Sequence, residues 1–215
     1  MVADDPESFA DLDGHATSPN ANNIYDGGCN DGLGSRAGNS CQQAAQQQSQ
    51  NAQAAQAQNQ PFNPTITYDK NLSAKDRAAA KAVVEAGIGI INSKWSQLTG
   101  EEKSTIQNIK SIDVSGSAKR SFVDESTGKM TLAKNFAVGS SAPWLASGIA
   151  HDGLHVSLYN SGGITSSRGL QAEVKGWQLQ LQLGPRFGLS KTEMDYLKSL
   201  IQNPSQLKQY IDTPP

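Results

Sequence analysis

From Ala37 to Tyr68 this 215-residue chain has no charged side chain, and residues 42–60 are ten Gln and six Ala with only Asn and Ser besides. Such a segment has no aliphatic or aromatic anchor whose burial could offset the roughly 1–2 kcal/mol per residue that ordering a backbone costs. Residues 37–62 are therefore expected to form a disordered linker. Any core must be built elsewhere. Only 36% of residues are hydrophobic, and mean hydropathy is -0.51, so the apolar residues have to be concentrated on one side of the linker. They lie downstream. Residues 1–36 are rich in Gly, Asn and Asp and are expected to be mostly irregular, whereas 63–215 carry the pattern of a globular domain.

Charge and hydropathy exclude several classes. No stretch approaches the roughly 18 apolar residues that a membrane helix needs, so no span is expected. The first residues lack a basic and an apolar region, so no secretory signal peptide is expected there. The net charge of -2 is divided: residues 1–36 hold seven acids against Arg36, and the remainder holds 17 bases and 13 acids. That surplus of bases is scattered, so no nucleic-acid partner is expected. Cys29 and Cys41 both fall upstream of the globular region. They can close a loop in an oxidising compartment or stay as two thiols, and the sequence leaves both open.

Downstream, Ser73 with Asp76 starts a helix in which Val84, Ile88, Ile91 and Trp95 recur at helical spacing. Thr99 with Glu102 forms a capping box for a short helix through Ile106 and Ile109. The period then changes: Ile112, Val114, Phe122, Met130 and Leu132 alternate with polar residues, and the turn-forming Asp124–Lys129 segment predicts a hairpin. Helical signals return at Ser140–Pro143 and stop at Gly162 and Gly163. A further helix is expected from Ser167 to Leu183, with Gly184 and Pro185 as its stop. A last one is boxed by Ser190 and Glu193 and ends near Asn203 and Pro204. The expected class is α+β: a mainly helical domain with a small antiparallel sheet.

Two of the three histidines stand in His151-Asp152-Gly153-Leu154-His155. On a helix, positions i and i+4 share a face, so both imidazoles can reach one metal ion. On the next helix Leu170, Val174, Trp177 and Leu181 mark the buried stripe, and Glu173 lies on or beside it. An inward carboxylate is costly unless it meets a cation, a metal or several donors. Two neutral imidazoles, one carboxylate and an open fourth position suit one catalytic zinc ion. Trp144, Trp177, Leu179 and Leu181 read as core. Tyr159, one turn beyond His155, is either a core tyrosine or a donor to the site. Arg168 is either a solvated residue at a helix start or a ligand for a substrate carboxylate or oxyanion. His15 lies in the upstream segment and is assigned no chemistry.

The order of helix, small sheet with a hairpin, helix with paired His and following helix with Glu resembles the core of zincin metallopeptidases of the gluzincin type, over about residues 72–185. The resemblance implies His151, His155 and Glu173 as zinc ligands and Asp152 in the place of the family's catalytic glutamate. It also implies a protein or peptide substrate. Asp departs from the His-Glu-x-x-His pattern, and its carboxylate would sit on the order of 1.5 Å farther from the attacking water on an unchanged backbone. Residues 4–15, Asp-Asp-Pro-Glu-Ser-Phe-Ala-Asp-Leu-Asp-Gly-His, resemble the segment that closes the core of RHS-repeat proteins, after which a variable C-terminal domain begins. That resemblance implies a bacterial toxin or effector, secreted or delivered at the cell surface, with a cognate immunity protein.

Other classes lack their residues. An HD-type phosphohydrolase needs a further upstream histidine, and only His15 precedes the pair. A zinc deaminase needs a paired cysteine motif. There is no Gly-rich phosphate loop and no Gly-x-Ser-x-Gly elbow. A non-catalytic metal-stabilised binding module and a metal-dependent nuclease toxin remain as alternatives.

Overall fold

The computed structural model describes residues 60–204. The upstream segment 1–36, most of the expected linker, Cys29, Cys41 and residues 205–215 lie outside the described residues. The elements are β1 (Thr65–Tyr68), α1 (Ala74–Ser93), a 3-10 turn (Trp95–Gln97), α2 (Gly100–Gln107), β2 (Ser111–Ser115), β3 (Phe122–Asp124), β4 (Lys129–Ala133), α3 (Lys134–Gly139), α4 (Ala142–Gly162), the one-turn α5 (Ile164–Ser167), α6 (Leu170–Phe187) and α7 (Lys191–Gln202). The fold is α+β, mainly helical with one small sheet.

The caps fall where the sequence places them. The Ser73 hydroxyl accepts from the Asp76 amide at 3.0 Å. Thr99 with Glu102, and Ser190 with Glu193, form complete capping boxes. The sheet is a correction. Its order is β1-β2-β4-β3, with β1 parallel to β2 and β2 parallel to β4; only β3 and β4 are antiparallel, as the hairpin requires. Alternation of apolar and polar residues reports which face is buried and says nothing of strand direction. Direction comes from the connection: α1 and α2 form the crossover that brings β2 alongside β1 in the same sense.

The stop expected at Gly184 and Pro185 is a second correction. The helix α6 runs through both to Phe187. In the last turn Pro185 removes a single intrahelical bond, and the helix ends where Gly188 adopts φ 84° and returns its N–H to the Gly184 carbonyl at 2.9 Å. That left-handed conformation is open to Gly at little cost.

The core joins Val84 and Ile91 of α1, Ile106 of α2, Ile112 and Val114 of β2, Leu132 of β4, Leu145 and Ile149 of α4, Leu183 of α6 and Leu197 of α7. Trp177 is buried in it, and Trp144, Leu179 and Leu181 pack partly buried against it. At the centre stands α4, against α1, α2, α5, α6 and β3. Its position against α2 depends on Gly153, because a Cβ there would lie 2.1 Å from the Thr105 carbonyl oxygen. At the same contact the Asn108 amide donates to Ser157 Oγ at 2.7 Å. From the other side, Arg186 of α6 pairs with buried Glu102 at the start of α2.

Candidate metal centre

Ser141 caps α4 by accepting from the Trp144 amide at 3.0 Å, and Gly163 closes the helix at φ 70°. Between these ends His151 and His155 stand one turn apart, both buried, with ring centroids 4.9 Å apart. Glu173 enters from the first turn of α6 and is half-buried. Its Oε2 lies 3.2 Å from His151 Nε2, and its Oε1 lies 3.7 Å from His155 Nε2. The two Nε2 atoms are 2.9 Å apart. A tetrahedral divalent ion held at about 2.0–2.2 Å spaces its ligand atoms by roughly 3.3 Å; the 2.9 Å between the two Nε2 atoms and the 3.2 Å from His151 Nε2 to Oε2 are near that spacing, and the 3.7 Å to His155 belongs to the other carboxylate oxygen. His151, His155 and Glu173 could hold a metal ion.

The outward nitrogens of both rings are occupied. His155 Nδ1 lies 2.6 Å from the Ser167 carbonyl, which can only accept, so that nitrogen carries the hydrogen and Nε2 presents its lone pair to the cluster. His151 Nδ1 lies 2.9 Å from Gln180 Oε1. Room for the His151 ring depends on Gly176, since a Cβ at that position would come within 2.6 Å of Cε1 and 2.7 Å of both ring nitrogens. Glu173, Gly176 and Gln180 share one face of α6 at helical spacing. They frame the ring with a carboxylate, a gap and an amide.

The side chains of the cluster also act on one another electrostatically. Burial pushes the His151 imidazolium down, but the hydrogen bond and charge of Glu173, with Asp152 and Gln180 in support, outweigh it and leave the pKa above the ordinary histidine value. Burial pushes Glu173 up; its bond to His151 and the charges of His151, His155 and Arg120 reverse the sign and hold it below the ordinary glutamate value. Glu173 thus keeps its negative charge beside the two rings. Asp152, the next residue along the helix, behaves differently. Burial raises its carboxyl pKa, His151 and His155 oppose the rise, and Glu173 and Glu125 add to it. Asp152 is half-buried, and its carboxylate makes no hydrogen bond among the described residues.

Arg168 is committed to a partner. Its Nε and Nη2 donate to the two oxygens of buried Glu125 on the hairpin turn at 3.0 and 3.1 Å. This fork ties the hairpin to the residue that follows the Ser167 carbonyl, and the Glu125 charge reaches His155 and Asp152. Tyr159 is half-buried one turn beyond His155, and its phenol acts electrostatically on Arg168. The structure thus brings together His151, His155 and Glu173, with Asp152 beside them, and places Arg168 in an ion pair. Sequence reasoning missed Gly176, Gln180, Ser167 and Glu125. Gly176 and Gln180 lie at i+3 and i+7 from Glu173, and that spacing could have marked them.

Comparison with family models, curated proteins and solved structures returns no match.

Proposed function

We propose that residues 63–215 act as a zinc-dependent, peptidase-like hydrolase in which His151, His155 and Glu173 hold one zinc ion and Asp152 is the general base. The observation that carries this reading is the meeting of two imidazole Nε2 atoms and one carboxylate beside an aspartate whose carboxylate has no hydrogen-bond partner among the described residues. Zinc in such a site polarises a carbonyl and makes water more acidic. A structural ion is normally closed by a fourth protein ligand. Among the described residues no fourth His, Cys, Asp or Glu joins the three.

Asp152 suits the base because it adjoins His151 on α4 and its carboxylate has no side-chain hydrogen bond among the described residues. It takes a proton as the water oxygen bonds to the peptide carbonyl carbon. When the C–N bond breaks, that proton passes to the leaving nitrogen. The similarity of residues 4–15 to an RHS closing segment supports delivery as a toxin or effector, with an immunity protein as partner; those residues lie outside the described part.

The test is digestion of unfolded protein and peptide libraries by the zinc-loaded chain. Asp152→Asn should keep zinc and lose about 10²- to 10⁴-fold in turnover. Asp152→Glu should raise activity where the pocket keeps the spacing of a longer carboxylate, and lower it where the pocket is shaped around Asp. Equal, negligible hydrolysis by wild type and both variants at full zinc occupancy would remove the peptidase reading, and nuclease assays on the same three proteins would then be decisive for the alternative.

A further inference from the structure

The structure assigns Gln180 and Ser147 a positioning role: Ser147 locks the Gln180 side-chain amide in one orientation, and that orientation fixes His151 as the tautomer whose Nε2 is free to bind metal. The role in metal binding rests on the zinc reading above, while the hydrogen on Nδ1 is measurable without metal.

The Trp144 carbonyl can only accept, and Ser147 Oγ lies 2.9 Å from it, so the single hydroxyl hydrogen of Ser147 is directed there. Ser147 then offers a lone pair to its other neighbour. That neighbour is the Gln180 amide at 3.2 Å, which must present its NH2 group. With the NH2 held on the Ser147 side, Oε1 faces His151 Nδ1 at 2.9 Å and accepts from it. Nδ1 therefore carries the hydrogen. Nε2 is then the nitrogen that faces His155 Nε2 at 2.9 Å and Glu173 Oε2 at 3.2 Å, where a metal ion would take its lone pair.

Burial gives the chain its force. Ser147 is fully buried, and Gln180 is 4% exposed, so no bulk water stands ready to replace a lost partner. A half-turn of the Gln180 amide would point NH2 at Nδ1 and favour the opposite tautomer. Its Nε2–H would then occupy the place of the metal. The two histidines differ in this respect. His155 donates to a backbone carbonyl, which cannot flip, so only His151 depends on a side chain for its tautomer.

The experiment uses the full chain, first freed of metal. Long-range proton–nitrogen correlation spectra should show hydrogen on His151 Nδ1 in the wild type. Ser147→Ala and Gln180→Met should lower the population with hydrogen on Nδ1, with far-UV circular dichroism unchanged. Zinc affinity, read by competition with a chromophoric chelator, should fall about 10- to 100-fold in both. Gln180→Glu, whose two oxygens both accept, should keep the wild-type tautomer and restore zinc affinity when combined with Ser147→Ala. A wild type without hydrogen on Nδ1, an unchanged Nδ1 hydrogen in Ser147→Ala, or a double variant as weak as Ser147→Ala would overturn the assignment. If the wild type binds no zinc, the metal reading fails, and the spectra still decide whether Gln180 and Ser147 set the tautomer.

Discussion

Gly176→Ala places the smallest possible side chain at the closest approach between α6 and the candidate centre. A Cβ there would stand 2.6 Å from His151 Cε1 and 2.7 Å from Nδ1 and Nε2. Non-bonded carbons settle at about 3.5–4.0 Å, so the ring must withdraw from α6 by roughly 1 Å. Glu173 and Gln180 are on the same face of α6, so the withdrawal lengthens both contacts together. The 2.9 Å bond to Gln180 would pass beyond hydrogen-bond range, and the 3.2 Å approach to Glu173 would open. Overpacking of this kind costs about 1–3 kcal/mol, while exchanging Gly for Ala inside a helix returns about 1 kcal/mol. Global stability should therefore change by no more than about 2 kcal/mol, whereas zinc affinity should drop about 10- to 100-fold. Gly89→Ala serves as the control, because a Cβ at that helical position meets nothing within 4 Å. It should stabilise by about 1 kcal/mol and leave zinc binding unchanged. Urea unfolding and chelator competition on the three proteins give the answer. If Gly176→Ala binds zinc as tightly as wild type and is also more stable, α6 does not press on His151 and the reasoning fails.

Two further predictions concern the frame around the centre. Gly153→Ala puts a Cβ 2.1 Å from a backbone carbonyl that cannot rotate away, so it should destabilise by at least 2–3 kcal/mol on the order-of-magnitude scale of overpacked helix contacts; a urea midpoint equal to wild type would contradict the close α2–α4 packing. Burial raises the Glu102 pKa, but its bonds to Arg186 and Thr99 outweigh that and hold it below the ordinary value, so its contribution is present above the unfolded-state pKa of about 4.3 and is lost as pH falls through the folded-state value. Glu102→Gln should therefore cost about 2–3 kcal/mol at pH 7 and progressively less below about pH 4, and a gap that stays constant in urea titrations across that range would refute the linkage.

How much of this was legible depends on the range over which the signal acts. The helix starts at Ser73, Thr99, Ser141 and Ser190 are written in adjacent residues, and the structure places their side chains in the expected hydrogen bonds. His151 and His155 were legible because a helix brings i and i+4 together by itself, and Glu173 because a carboxylate beside an apolar stripe demands a partner. The parallel pairing of β1 with β2 was not legible. Thr65–Tyr68 is four residues between Pro64 and a turn, and its partner lies past two helices. The helix end at Gly188 was misplaced because Pro185 blocks only one bond in a last turn. Gly176, Gln180, Ser147 and Ser167 act on the histidines only after α6 and α5 have docked on α4. Glu125 meets Arg168 across 43 residues of chain.

In the proposed function two imidazoles and one carboxylate of this chain hold a single metal ion. Elemental analysis of the purified full chain after mild dialysis, repeated after zinc is offered at micromolar concentration, tests it directly. One zinc per chain in the wild type, lost in both His151→Ala and His155→Ala, is the predicted result. A wild type that retains no stoichiometric transition metal and rebinds none would contradict the claim.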